Sequence, residues 1–297
     1  MVEHGADLHD IKFPSIVSAA RFGTLMDFQY LLDRGVDINA TDHVGSSALS
    51  QAVSWKNQKG VDALLKLSID LSRHGGIPLR DAAWKGRFKL VQLLVEKGAD
   101  INFHGKNMVF PYGSTPLQKA AGMGHLKIVQ YLLDQGADPA IKDTYGERPY
   151  TEAKRSKHVD VMELIKSYEP QELHDLDNRI TELKKAGLPK SIITDLGETR
   201  RRVELSDCEY ADYIEFCSIL DVTEMEMKGV RLINLVSDMD NYSEIGMFVW
   251  ISSQKAIGSY DVEHCNLMVI HDGTWKKVLK NPGYYIDRIL NGEYDLG

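Results

Sequence analysis

Asp261, Glu263, His264 and Cys265 are the densest set of reactive side chains in this 297-residue sequence, and by type they could supply a nucleophile, a base and an orienting carboxylate. Their spacing works against that use. The run KAIGSYDV that leads into them reads as a strand, where successive side chains point to opposite faces, so His264 is expected to face away from Asp261, Glu263 and Cys265. His174-Asp175 and His271-Asp272 stand as isolated dipeptides, and the latter, followed by Gly273, reads as a turn. Cys208, Cys217 and Cys265 are odd in number and form no C-x-x-C pair, which fits a reduced compartment better than a structural zinc site. No G-x-x-x-x-G-K-[ST], H-E-x-x-H or G-x-S-x-G motif occurs. These residues point to a binding protein with no catalytic residue, cofactor or metal. An enzyme whose site in residues 170–297 is assembled from positions distant in sequence is the alternative from another class.

Charge separates the two halves of the chain. Residues 1–169 hold 21 basic and 20 acidic residues, whereas 170–297 hold 14 and 23, which leaves the second part at −9. Phosphate contacts need clustered Lys and Arg, so nucleic acid is not an expected partner, and a charged partner of the second part would be basic. Solubility alone is the other use of surplus acid. The opening MVEHGADLHD lacks a basic segment followed by an apolar run, and no stretch approaches the roughly 20 apolar residues of a membrane span. A cytoplasmic protein with no membrane contact is expected.

The first half is organised by a small-residue column: Ala19, Ala52, Ala82, Ala120 and Ala153, spaced by 33, 30, 38 and 33 residues. A period near 33 marks an array of helical units. Twelve positions after each alanine stands Leu31, Leu64, Leu94, Leu132 or Ile165, as expected if a first helix packs its alanine against a second helix's leucine ridge. In the fourth unit Thr115 can cap a helix, Pro116 can sit in its first turn, and Gly124 and Gly136 can supply left-handed stops. These recurring TPL, AA, G and LL-x-x-GAD elements resemble the ankyrin repeat family over residues 11–169, and the resemblance implies a helical solenoid. The second unit departs from it with Ser68-Ile69-Asp70, and the last has Lys157 and Ser167 to Glu169 where glycines are expected. Glu3 to Asp7 read as the tail of a repeat without its helices, so either the start is truncated or residues 1–10 act as a cap.

Ankyrin proteins commonly meet partners with their hairpins and first helices. The two residues after each alanine pair are Arg21-Phe22, Ser54-Trp55, Trp84-Lys85, Gly122-Met123 and Arg155-Ser156. Phe22, Trp55, Trp84 and Met123 there suit interface anchors, which bury much area at low entropy cost. Packing against neighbouring loops is the alternative. The long spacing between Ala82 and Ala120 adds residues Phe103 to Gly113, whose Val109, Phe110 and Tyr112 form either a binding finger or a flap over the repeat edge. Arg21, Phe22, Trp55, Trp84, Lys85, Phe110, Tyr112 and Met123 are the candidate partner-binding residues.

From Glu172 the pattern becomes mixed. Leu173, Leu176, Ile180 and Leu183 predict a helix ended by Gly187, and PKSIITDLG predicts a second. Strand-like runs follow at RRVEL, ADYIEFCSI, VRLINLV, GMFVWIS, KAIGSYDV and NLMVI, and a final helix is broken at Asn281-Pro282-Gly283. One mostly antiparallel sheet flanked by helices is expected over 170–297, giving the chain an α + (α+β) class. The leading helix with Leu188-Pro189, then Gly246, Trp250, Ile257-Gly258, Asp261 and Glu263-His264, resembles the SUKH superfamily over residues 172–294. That family includes bacterial immunity proteins against polymorphic toxins and yeast cell-wall regulators of the Smi/Knr type, so the resemblance implies inhibition of a toxin. A basic toxin domain would meet the acids Asp207, Glu209, Asp212, Asp221, Glu224 and Glu226. A two-domain scaffold or adaptor is the other binding function compatible with the pattern.

Overall fold

A computed structural model describes residues 7–8, 10–106, 112–243 and 245–294. The chain divides into two compact units, one of residues 1–143 and 148–168, the other of residues 144–147 and 169–297. The segment Thr144–Glu147, read with the repeats in the sequence, thus belongs to the second unit.

The alanine and leucine columns become helix pairs: α1 Ser15–Ala19 with α2 Leu25–Leu32, and α3 Ala48–Ser54 with α4 Gln58–Lys66. After a short α5, Leu71–His74, come α6 Gly76–Trp84 with α7 Phe88–Glu96, α8 Pro116–Gly122 with α9 Leu126–Asp134, and α10 Pro149–Arg155 with α11 Val159–Lys166. Ala52, Ala82, Ala120 and Ala153 are fully buried, as are Leu64, Leu94, Leu132 and Ile165, and Leu31 is nearly so. Only Ala19 falls short. It is half-buried while Ala20 beside it is sealed, because no described helix packs on the outer side of the first pair.

Local chemistry sets the helix ends. The Thr115 hydroxyl accepts from the Gln118 N–H at 3.1 Å while the Gln118 side chain accepts from the Thr115 N–H at 2.8 Å, with Pro116 behind them in the first turn. Gly124 and Gly136 take φ of +70° and +88°, as their stop role requires. Where glycine is missing the turn persists: Lys56, Ser68 and Lys157 adopt φ of +58°, +60° and +61°.

Side chains at the start of α4, α7 and α9 then tie each of these units to the one before it. Asn57 donates to the carbonyls of Ala20 and Gly23 at 3.1 and 2.9 Å, Arg87 donates to Val53 O at 3.0 Å, and the His125 Nε2 lies 3.1 Å from Trp84 O. A second ladder runs through the connecting turns, where Asn39 and Asn102 accept from the backbone N–H of Asp70 and Asp138.

In the second unit a 3-10 turn, Gln171–His174, leads into α12 Leu176–Lys185 and α13 Lys190–Leu196. The strands β1 Arg201–Glu204, β2 Tyr213–Phe216, β3 Thr223–Met227, β4 Val230–Asn234, β5 Val236–Met239, β6 Val249–Ile251, β7 Ala256–Asp261 and β8 Asn266–Val269 follow, then α14 Trp275–Lys280 and α15 Pro282–Leu290. All pairings are antiparallel, but they form two sheets rather than the single expected one: β1-β2-β5 and β3-β4-β6-β7-β8.

The run VRLINLV is where the sheets part, since its first half is β4 and its second half begins β5. Buried Asn234 makes that crossing possible, its amide donating to Val236 O at 2.8 Å and accepting from the Gly246 N–H. The five-stranded sheet is covered on both faces. Ile233 and Trp250 face a core shared with α12 to α15, while Leu232, Val249 and Ile251 face a smaller cluster closed by Tyr145. Trp250, Trp275 and Tyr285 are buried in this core, and Tyr284 is 48% exposed.

Candidate partner-binding face and acidic elements

The paired residues after each alanine column fall where first helices end. Trp55, Lys85, Met123 and Ser156 are the C-cap residues of α3, α6, α8 and α10, and the next position turns left-handed at Lys56, Gly86, Gly124 and Lys157. The turn throws the C-cap side chain outward. Phe22 is 79% exposed, and Trp55 and Met123 are each 50% exposed.

Two adjacent units pool their residues here. The Phe22 and Trp55 rings meet edge to face with centroids 5.8 Å apart, and the Arg21 guanidinium lies 4.8 Å from the Trp55 ring centre. Arg21, Phe22 and Trp55 therefore form one exposed cluster. Trp84 is only half-buried and Lys85 is exposed, the latter held to Asp81 by an ion pair of 2.9 Å. Tyr112 is 41% exposed, and Val109 and Phe110 lie outside the described residues.

Two charged groups in the repeats went unnoticed in the sequence. Arg80 is fully buried in α6, where it donates to Gly105 O and Ser114 O at 2.8 and 2.9 Å and faces the Phe103 ring, so it anchors both ends of the long connection after α7. Burial lowers its pKa to about 10, which still leaves it charged at neutral pH. The available signal was a long cation in a helix column otherwise holding Val17, Ser50, Gln118 and Thr151. Glu152 is also buried, with Arg155 at 2.9 Å and Lys119 at 3.5 Å. Burial opposes its ionisation, but the two cations outweigh that and hold its carboxyl below the usual range.

The proposed acidic patch does not hold together as one surface. Asp221 is buried, paired with Arg200 at 2.8 Å and accepting from the Ser218 hydroxyl at 2.7 Å, so it serves the fold rather than a partner. Glu224 pairs with Arg179 at 3.1 Å, and Glu226 is exposed on β3 directly across from Arg231. LDVTEME, acidic in composition, holds a strand whose Thr223 and Met225 point inward. Asp207, Glu209 and Asp212 stay exposed between β1 and β2.

The reactive groups from Asp261 to Cys265 also settle differently from the strand expectation. β7 stops at Asp261 and the chain turns, so strand alternation no longer applies and His264 Nδ1 comes within 2.7 Å of Asp261 Oδ2. That hydrogen bond and the carboxylate charge raise the imidazole pKa of an exposed histidine. His174 Nε2 lies 2.8 Å from Glu169, while its sequence neighbour Asp175 caps α12. Asp272 is bound by Arg288 and by the Tyr294 hydroxyl. No group of three His, Cys, Asp or Glu side chains able to hold a metal occurs among the described residues. No helix among them is long and apolar enough to cross a membrane.

Comparison with protein-family models matches residues 16–105 to ankyrin repeats in three copies and residues 112–144 to a further ankyrin repeat. The helix pair of α10 and α11 lies beyond the matched spans. Residues 16–144 of this chain are ankyrin repeats.

Proposed function

We propose that this protein binds and inhibits a protein partner through the hairpin face of its repeats, as an immunity protein against a bacterial toxin. The observation that carries the reading is the exposed Arg21–Phe22–Trp55 cluster, built from side chains just past the ends of α1 and α3, where the fold asks for no aromatic. Ankyrin repeats are protein-binding modules, typically without catalysis of their own, and this agrees with such a role. The SUKH resemblance of residues 172–294 and their −9 charge supply the inhibitory part of the reading. Toxins that act on nucleic acids carry basic grooves, which Asp207, Glu209 and Asp212 would meet with opposite charge.

The test is co-expression with the product of the neighbouring gene. Growth is expected to be rescued by the intact protein and lost with the double substitution Phe22→Ala and Trp55→Ala, at unchanged thermal stability. Rescue by the double variant would remove the repeat face from the function. A scaffold that joins two proteins is the second reading, favoured by the division into two units with separate cores. Under it, each unit expressed with its own ligand would bind independently.

A further inference from the structure

A cavity of about 480 Å³ opens in the second unit, lined by none of the residues assigned above to partner binding. Its size lies in the range of sites that enclose a small ligand or a few side chains. Met247, Met268, Ile289 and Leu290 supply the apolar lining, and two methionines make it adaptable in shape. The charged lining holds two acids against one base. Asp261 and Glu263 contribute carboxylates, and no Lys or Arg is among the described residues that line the cavity. The single basic group there, His264, is already engaged by Asp261 at 2.7 Å. Asn241 adds a further negative neighbour, because its amide donates to Asp240 at 3.2 Å and Asp240 is fixed in place by the backbone N–H groups of Asp212 and Tyr213. Tyr242, 41% exposed and braced edge to face by Tyr210, presents an aromatic surface to the same space.

We infer that this cavity binds a basic, apolar peptide segment of a partner protein, with an arginine side chain as the inserted group. The chemistry selects it. An arginine lays its aliphatic stem along apolar surface while its guanidinium stays near water and carboxylates, and the planar head can stack on a tyrosine ring. Nucleic acids and anionic lipids carry the wrong sign for this lining. The lining residues all belong to the second unit, so the test needs no partner of the repeat face and fails or succeeds independently of it.

The experiment titrates the full chain with acetyl-Leu-Arg-Leu-amide and, in parallel, with acetyl-Leu-Glu-Leu-amide, following the methyl signals of Met247 and Met268 by NMR. Saturable shifts of both methyls are expected with the arginine peptide, and binding of the glutamate peptide is expected to be at least about tenfold weaker. Glu263→Lys, a substitution at an exposed turn, should narrow or reverse that preference, and Glu263→Gln should weaken the arginine peptide about threefold, as for an exposed ion pair. A melting curve for each variant checks that the fold is kept. Equal affinity for the two peptides, no shift of either methionine, or a preference untouched by Glu263→Lys would each overturn the inference.

Discussion

Replacing Lys56 and Ser68 by glycine should stabilise the repeats. Both residues are exposed and both hold φ near +60°, where an L side chain crowds its own backbone. The strain is about 1–2 kcal/mol per residue, and glycine returns roughly 0.5–1 kcal/mol of that through its larger entropy loss on folding, so each substitution should gain about 0.5–1 kcal/mol. The two sites flank the nine residues of α4, roughly 13 Å apart, far enough for their effects to add to about 1–2 kcal/mol. For a unit of this size that is a rise in melting temperature of roughly 2–8 °C.

Thermal melting followed by circular dichroism, with urea unfolding to show an unchanged slope, measures it. The reverse changes calibrate the argument. An added Cβ at Gly98 or Gly136 meets nothing within 4 Å, so Gly98→Ala and Gly136→Ala should cost only the strain, about 1 kcal/mol. At Gly86 and Gly124 it would come within 2.8 and 2.7 Å of the His125 and His158 rings of the following repeat, so those two substitutions should cost more. If Lys56→Gly and Ser68→Gly leave the melting temperature unchanged or lower it, the left-handed strain assigned to these turns is wrong.

Enlarging a sealed alanine tests the helix register: Ala82→Leu should overpack α6 and destabilise the repeats by about 1–3 kcal/mol, read from urea unfolding. Glu152 has a folded pKa below its unfolded one, so its ion pairs stabilise above the usual carboxylate range and the benefit is lost as pH falls through the folded value. Glu152→Gln should therefore cost on the order of 1–2 kcal/mol at neutral pH and flatten the acid limb of the stability profile, which urea melts at several pH values would show.

The repeats were legible because their determinants are local and recur: a small residue where helices cross, an aliphatic ridge twelve positions on, a threonine–proline start and a stop residue. The departures at Ser68 and Lys157 showed in the sequence only as missing glycines, whereas the structure shows the same turn made there, and at Lys56, at a cost. The second unit was less readable because its determinants are long-range. VRLINLV carries no mark of the sheet change at Asn234, which depends on that side chain bonding to Val236 and Gly246. LDVTEME did carry one, the alternation of Thr223 and Met225 with two glutamates, but charge hid it. Partners such as Arg200 for Asp221 lie 21 residues apart and come together only through the fold. The exposed aromatics could be located from the repeat register alone, although their mutual contact could not.

The same hairpin geometry fits those aromatics to the proposed binding role. In the hairpins after α3, α6 and α8 the C-cap backbone N–H is already bonded within its helix, as in Trp55 to Gln51 at 2.9 Å and Lys85 to Asp81 at 3.0 Å. The next residue makes the left-handed turn, and the one after it reaches the preceding repeat through Asn57, Arg87 or His125. Folding thus uses every neighbour of the C-cap side chain and leaves that side chain itself unassigned. The position accordingly accepts Lys85 and Ser156 as readily as Trp55 and Met123. An aromatic residue there gains only its contact with the adjacent repeat, about 0.5–1.5 kcal/mol for a ring pair such as Phe22 with Trp55, while much of its apolar area stays in water. Covering that area with a partner would recover about 25 cal/mol per Å², so binding energy can reside at this position with little claim on stability. This separation makes the Phe22 and Trp55 double variant a test of binding rather than of folding.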